Sequence, residues 1–302
     1  MLRKKVICID LFCGMGGATQ GMIDAGATVI LSIDGWIVAK ELHEANFPDV
    51  PFVQRMLGVD YDADLKIILD ALAPYLDDRE GVHIHIHGSP PCQAFSTAGL
   101  NRTAEGQVNV DWYLALVEDL KSRDLCDSWS MENVPATRKH YPDLPHVMIN
   151  AAQHGAPQAR RRFFAGEGWE ITTSDQRTSW NEALGDPTIP VGSVLNMVGA
   201  AWSGSKRAAS SDAPWGEPSR TITRQNPTIR RQLPSGDFER VRLLTFDEIA
   251  ILNGFPSGLI LDTPSANKRD ISLALGNCVC PPAMTAVIEG IVDKGAITQQ
   301  SP

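Results

Sequence analysis

The sequence predicts an α/β protein, an open and mostly parallel sheet with helices on both faces, joined to a small irregular β-rich lobe. Three observations carry this. Between residue 6 and about residue 166, short apolar runs of strand length alternate with longer stretches of helical pattern. Several of those runs end in a glycine turn, an acid or a cysteine, and the carboxyl ends of parallel strands are where such folds place their chemistry. From residue 167 to residue 240 the pattern breaks into Gly, Pro, Ser and Thr with isolated tryptophans and short β-like pieces. The expected division is a large domain from residues 1–166 with 271–302, and a small lobe from residues 167–270.

Residues 6–12 read as a buried first strand, followed by Cys13-Gly14-Met15-Gly16-Gly17 and a helix over 18–25. Glycines at that junction let a ligand approach the backbone at the helix N-terminus. The spacing is that of a Rossmann-like unit for a nucleotide-type cofactor, but GMGG is not the phosphate-cradling GxGxxG, which argues against a dinucleotide. A second strand over 28–33 ends at Asp34, a carboxylate suited to a ribose diol. Helices are expected near 37–45 and 62–76. The strand over 82–87 sets His83, His85 and His87 on one face. Alternate imidazoles can share a metal ion, but satisfied histidines on a partly buried strand are the expectation, with no metal. That strand runs into Ser89-Pro90-Pro91-Cys92, where two prolines stiffen the turn that aims the thiol. A helix near 112–123 leads to a strand ending at Glu132. Only 15 residues, 135–149, precede the next landmark, Asn150, too few for the usual helix-plus-strand crossover, so this part of the sheet is expected to be reduced. Residues 158–164 read as one strand with Arg160 and Arg162 on one face. A final helix is expected over 281–292.

With 302 residues and 43% hydrophobic content the chain can bury one large core and a smaller one. No apolar run approaches the ~20 residues of a membrane helix, and the N-terminal residues lead into the first strand without a signal-peptide core. A cytoplasmic monomer without membrane association is therefore expected. The six cysteines include no CxxC pair, so free thiols are expected rather than a disulfide framework or a tetrathiolate zinc site. A net charge of −9 is awkward for a polyanion partner, yet residues 160–242 hold 12 Lys and Arg against 9 Asp and Glu, +3, which leaves −12 elsewhere. The basic excess falls in and beside the lobe, where phosphates would be met.

Taken in order, DLFCGMGG from residue 10, PPCQ from residue 90, ENV from residue 132 and QARRR from residue 158 resemble the cytosine-5 DNA methyltransferase family. The stretch from Arg242-Leu243-Leu244-Thr245 through Glu248, with Leu252-Asn253-Gly254-Phe255-Pro256 and Gly276-Asn277-Cys278-Val279, resembles the family's last two blocks. The likeness spans most of the chain except roughly residues 168–240. It implies a Rossmann-like, S-adenosylmethionine-dependent methyltransferase sheet with a target-recognition lobe, and methyl transfer to cytosine C5 in double-stranded DNA. The enzyme would be an orphan or the modification partner of a cognate restriction endonuclease. A tRNA methyltransferase shares the same blocks, and a non-catalytic DNA-binding relative is the third alternative, against which intact Cys92, Glu132 and Arg162 argue.

The chemistry calls for such residues. Cytosine C5 is a poor nucleophile, and adding a thiolate to C6 makes it enamine-like. Cys92 has the loop context for that attack, with Gln93, Ser96 and Asn133 as its neighbours, and Arg160 and Arg162 can supply the positive field a thiolate needs. A base inside a duplex must be flipped to reach it, and the loop over 93–110, with Gly99 and Gly106 as hinges, is the natural closing element. The resemblance implies that Arg162 holds the cytosine O2 and that Glu132 bonds the N3 and amino edge. It also places S-adenosylmethionine against Asp10, Phe12, Gly14, Gly16, Gly17, Asp34, Pro90, Asn277 and Val279, with Asp60 near the adenine. Where the family often has a bulky residue after the acid, this chain has Gly35, with Trp36 one step later. In the lobe, residues 218–224 resemble the family's DNA-facing core. Candidate DNA contacts are Arg102, Arg220, Thr221, Arg224, Arg230 and Arg231. Trp180, Trp202 and Trp215 are expected to form the lobe's small core rather than wedges between bases.

Overall fold

The structure is a computed structural model that describes residues 4–77, 79–92, 105–173, 177–197, 212–223 and 226–291. The strands of the first half are β1 (Lys5–Leu11), β2 (Thr28–Asp34), β3 (Phe52–Gln54), β4 (Val82–Gly88), β5 (Ser128–Asn133), β6 (His146–Asn150), β7 (Gln158–Ala159) and β8 (Arg161–Glu167). Seven of them form one sheet in the order β3-β2-β1-β4-β5-β8-β6. The first five in chain order pair in parallel, and β8 runs antiparallel between β5 and β6.

Strand β1 shows why the sheet is covered on both sides. Its Ile7, Ile9 and Leu11 join one core cluster with Ile68 and Leu72 of α3 (Tyr61–Leu72) and with Tyr113, Leu116 and Leu120 of α4 (Glu105–Ser122). On the opposite face, Cys8 packs in a second cluster with Met22 of α1 (Gly17–Asp24) and with Met284 and Val287 of the last helix, Pro281–Glu289. A strand buried on both faces reads as a continuous apolar run, as this one does. Each such Leu or Ile contributes about 1.5–3 kcal/mol by leaving water.

The remaining elements are α2 (Ile37–Asn46), α5 (Trp180–Leu184), α6 (Phe246–Asn253), α7 (Lys268–Asn277) and α8, the Pro281–Glu289 helix just described. Strands β9 (Val194–Asn196), β10 (Asp212–Ala213), β12 (Thr228–Gln232) and β13 (Phe238–Leu243) form a separate sheet in the order β10-β9-β12-β13. The two-residue β11 (Ser219–Arg220) pairs in parallel with β7. Trp180, Leu195, Ala213, Ile222 and Ile229 form a core that is continuous with Leu42 of α2, Leu252 of α6 and Leu275 of α7. Trp180 is fully buried, donates its indole N–H to the Pro214 carbonyl at 2.9 Å and meets Trp215 edge-on, so these two tryptophans build core as expected. Trp202 lies outside the described residues.

Several expectations change. The crossover after β5 loses its helix but keeps its strand: a 3-10 turn, Pro135–Lys139, is enough to carry the chain to β6. The segment 158–164 is not one strand, because pairing switches at Arg160 from β11 to the main sheet, yet Arg160 and Arg162 still line one cavity together with Glu132. Helix α4 starts at Glu105 and takes in Gly106, which removes that glycine as a loop hinge; Gly99 lies outside the described residues. The segment Lys268–Glu289 is apolar enough to cross a membrane by composition, but it divides into α7 and α8 and 67% of its apolar window is buried in the protein.

The three histidines of β4 are zipped to β5. His83 Nε2 bonds Ser128 Oγ at 2.8 Å, which bonds His85 Nδ1 at 2.7 Å; His85 Nε2 bonds Ser130 Oγ at 2.9 Å, which bonds His87 Nδ1 at 2.8 Å. One hydroxyl proton per serine means that each serine donates to one ring and accepts from the other, a pattern neutral imidazoles satisfy. Burial accordingly holds His85 well below its ordinary value and pushes His87 down to about 3. Among the described residues no cluster of three metal-ligating side chains exists. A depressed histidine costs nothing above its unfolded value of 6.5 and penalises the folded state increasingly as pH falls below it. His85→Leu, which removes two hydrogen bonds, should therefore lower stability at pH 7.5 by about 1–3 kcal/mol, and urea unfolding should show that deficit narrowing at pH 5. A deficit independent of pH would contradict neutral burial of this ring.

Candidate active site

Two loops meet at the carboxyl ends of β1 and β4. Phe12, just past β1, has φ 56°, a left-handed conformation that an aromatic residue rarely adopts outside a functional turn. Ser89 holds it there: its hydroxyl donates to the Phe12 carbonyl and its N–H to the Leu11 carbonyl, both at 3.0 Å. On the other side of the Cys92 turn, the Asn133 amide donates to the Pro90 carbonyl at 3.1 Å while its oxygen accepts from the Val134 N–H and the Thr137 hydroxyl. The turn that carries the thiol is thus stapled to β1 and to β5. Asn133, counted with the reacting groups from its motif, is 1% exposed and acts as one of these staples.

Glu132 precedes that staple on β5 and meets Arg162 from β8, whose Nε donates to its Oε1 at 3.0 Å. Their side chains are only 9% and 17% exposed. Burial raises the Glu132 carboxyl above its usual range, against the pull of Arg162 and Arg160. Burial, with the Arg160 charge adding to it, pushes Arg162 down to about 10. The half-buried Cys92 thiol is raised by burial and then by the Glu132 charge, while Arg162 and Arg160 lower it. A nucleophile, a buried carboxyl and a guanidinium therefore share one field.

Arg160 does something else. It is 2% exposed, and its guanidinium donates to the carbonyls of Ile222 at 3.1 Å and of Gly276 and Cys278 at 3.0 Å each. Gln158, fully buried, accepts from the Ile222 N–H and donates to Asn253. Neither role was legible from the QARRR spacing, because the acceptors are backbone atoms far away in sequence.

The cofactor side is an open cradle. A Cβ on Gly14, at φ 54°, would meet nothing within 4 Å, whereas one on Gly17 would lie 2.1 Å from the Val279 carbonyl oxygen, so α1 closes tightly on the loop behind it. Gly16, also at positive φ, caps α1. The half-buried Asp34 carboxylate accepts from the Gly14 and Trp36 N–H groups at 2.9 and 2.8 Å, and burial raises its pKa. Asp10 is fully buried and accepts from the Thr19 hydroxyl at 2.7 Å; burial raises it to about 7, and its other oxygen has no partner. It lies beneath the loop rather than on its open side. Asn277 is exposed at the end of α7 and Val279 is buried. Asp60 serves as the N-cap of α3, accepting from the Ala63 N–H, while the buried Asp64 fixes the loop before it by accepting from the Gly58 N–H and the Arg55 guanidinium. Trp36 packs on the core that contains Leu42 and Trp180, and the apolar surface beside Asp34 comes from Met56, 67% exposed and resting on Gly35. Sequence reading missed Met56; the bare Gly35 was the available signal.

In the lobe, Arg230 makes a two-pronged pair with Asp212 at 2.7 and 2.9 Å and stacks over Phe238, and Arg231 pairs with Glu239. The Thr221 hydroxyl donates to the Ala159 carbonyl at 2.9 Å. Arg220 is exposed, its Nε 3.4 Å from the Asp212 carbonyl. Gln93, Ser96, Arg102 and Arg224 lie outside the described residues. The six cysteines are free, as expected.

Residues 6–166, more than half of the chain, match the family of C-5 cytosine-specific DNA methylases, and the chain belongs to that family. It is a DNA methyltransferase acting at cytosine C5. The chain is 26% identical to the Type II methyltransferase M.HindV of Haemophilus influenzae, over 90% of this chain and 91% of that protein. It is 25% identical to the Type II methyltransferase M.AplI of Arthrospira platensis, over 96% and 86%. The fold is similar to that of the Entamoeba histolytica methyltransferase EhMeth, with a TM-score of 0.64 and 16% identity over 96% of this chain and 98% of that one.

If Glu132 is tolerated in the core because Arg162 faces it, Arg162→Met should destabilise the protein by about 3–5 kcal/mol at pH 7.5 by stranding a buried carboxylate. An unpaired Glu132 has a folded pKa raised further above 4.5, so the loss grows as pH rises through that value and is smallest near pH 5. Urea unfolding at the two pH values measures this; equal losses at both would show that the pair does not carry the site.

Proposed function

We propose that the protein methylates cytosine through a covalent adduct between the Cys92 sulfur and C6 of a base flipped out of double-stranded DNA. The observation that carries this is the convergence of Cys92, Glu132 and Arg162 at the ends of β4, β5 and β8. Cys92 adds to C6 as thiolate. Arg162 holds O2, and Glu132, whose raised pKa keeps a proton within reach, donates it toward N3 so that the adduct's charge is neutralised. C5 then carries the electron density that takes the methyl group, after which the C5 proton leaves to water, N3 returns its proton to Glu132 and the sulfur is expelled as thiolate. Burial holds the free thiol above its ordinary value, and its proton passes to water when the thiolate forms.

The family implies S-adenosylmethionine as methyl donor, and the residues fit it. The open face of Gly14, the Asp34 carboxylate and the exposed Met56 give room for a backbone-hugging nucleoside, a diol acceptor and an apolar rest for a purine. Phe12, Asn277 and Val279 would border its amino-acid end. S-adenosylmethionine supplies the methyl group as an electrophile; the protein supplies its placement next to the base. The lobe over residues 167–270 would read the DNA, Arg220 foremost, and a restriction endonuclease would share the site.

Bisulfite sequencing of DNA from a methylation-free host expressing the protein should show 5-methylcytosine at one short sequence. Cys92→Ser should abolish it while leaving the unfolding midpoint unchanged, because a hydroxyl does not ionise enough to add to C6. Methylation by that variant would remove the covalent route. Arg220→Ala should cost roughly 1–3 kcal/mol in binding the preferred sequence if it reads a base, or reduce the salt slope by about one unit if it meets a phosphate. Arg230→Ala should instead lower the stability of the lobe, because its guanidinium is committed to Asp212. An unchanged profile and unchanged salt slope for Arg220→Ala would place recognition elsewhere.

A further inference from the structure

The buried arginine beside the catalytic pair touches neither Glu132 nor solvent in the way its motif suggests. Its three acceptors belong to two segments remote from it and from each other: Ile222, which follows the DNA-facing strand β11, and Gly276 with Cys278, which flank Asn277 at the cofactor loop. Gln158, two residues earlier, reaches the same two regions. Its carbonyl oxygen accepts from the Ile222 N–H at 3.1 Å, and its amide donates to Asn253 at 2.8 Å, which in turn donates to the Leu275 carbonyl at 3.1 Å. The Thr221 hydroxyl adds a third tie to this strand through the Ala159 carbonyl. Carbonyls held by a shared planar guanidinium move together or lose hydrogen bonds that no water replaces at 2% exposure.

We infer that Arg160 is a positioning residue that couples the DNA-reading strand to the cofactor loop, so that DNA seated on the lobe fixes residues 276–278 in the geometry that holds the cofactor. This rests on the assignment of the lobe to DNA and of Asn277 to the cofactor. A fixed strand at Ile222 orients the guanidinium, and the oriented guanidinium fixes both carbonyls beside Asn277. By linkage, the cofactor strengthens DNA binding by the same factor.

The test is isothermal titration of S-adenosylhomocysteine into the full-length protein, alone and with a plasmid fragment that the wild-type enzyme methylates. Wild type is expected to bind S-adenosylhomocysteine at least about five-fold more tightly with DNA present. Arg160→Lys, whose compact ammonium lacks the planar fork that reaches Ile222 through one nitrogen and Gly276 with Cys278 through the other, is expected to keep the DNA-free affinity within about two-fold and to lose the gain. In steady state its KM for S-adenosylmethionine should rise at saturating DNA. Full gain in Arg160→Lys, no gain in wild type, or an equal loss of affinity with and without DNA would each overturn the coupling. If Arg160→Lys does not fold, Thr221→Val, which breaks only the tie to Ala159, is read instead: a reduced gain supports the inference and a full gain overturns it. Failure of the wild-type protein to methylate the fragment would sink the functional reading rather than the coupling.

Discussion

The buried pair between Glu132 and Arg162 is the constraint around which the rest of the site is arranged. A carboxylate at the end of a central strand is expensive to bury, and the fold meets that cost by laying an antiparallel strand, β8, beside β5 so that a guanidinium arrives at 3.0 Å. That pairing brings the Glu132 carboxyl to the end of β5, next to the Cys92 turn. Asn133 and Ser89 hold the turn against two strands. Burial raises the thiol and the carboxyl alike, while the Arg162 and Arg160 charges pull both back down.

Neutral burial extends beyond the site. The imidazoles of β4 and the hydroxyls of β5 form a zip whose polar atoms satisfy one another in place of a purely apolar strand pair. It welds the two strands whose ends carry Cys92 and Glu132. The lobe, by contrast, is attached through a two-residue strand pair, through Gln158 and Arg160, and through apolar packing on α6 and α7.

Much of the fold was legible because its signals are local. The strand ending at Asp34, the glycine turn before α1 and the proline-cysteine turn were visible as composition and spacing, and the observed elements start and stop within a few residues of those expectations. What failed depended on partners distant in sequence. The segment 158–164 alternates like one strand, yet Arg160 turns away because β11 and the cofactor loop offer three carbonyls that a strand face does not. Met56 gains meaning only once Gly35 leaves space beneath it. The pairing of Arg230 and Arg231, candidate DNA contacts, with Asp212 and Glu239 across the small sheet could not be read from a charge count.

The central claim is the covalent route, and it is tested most directly by trapping. DNA carrying 5-fluorocytosine at the methylated position blocks the last step, because fluorine cannot leave C5 as a proton does. Incubated with such DNA and S-adenosylmethionine, the protein should shift in intact mass by one DNA strand plus a methyl group. Peptide mapping should place the attachment on Cys92. Continued methylation of ordinary DNA by a protein that forms no adduct, or forms it at another cysteine, would contradict the account.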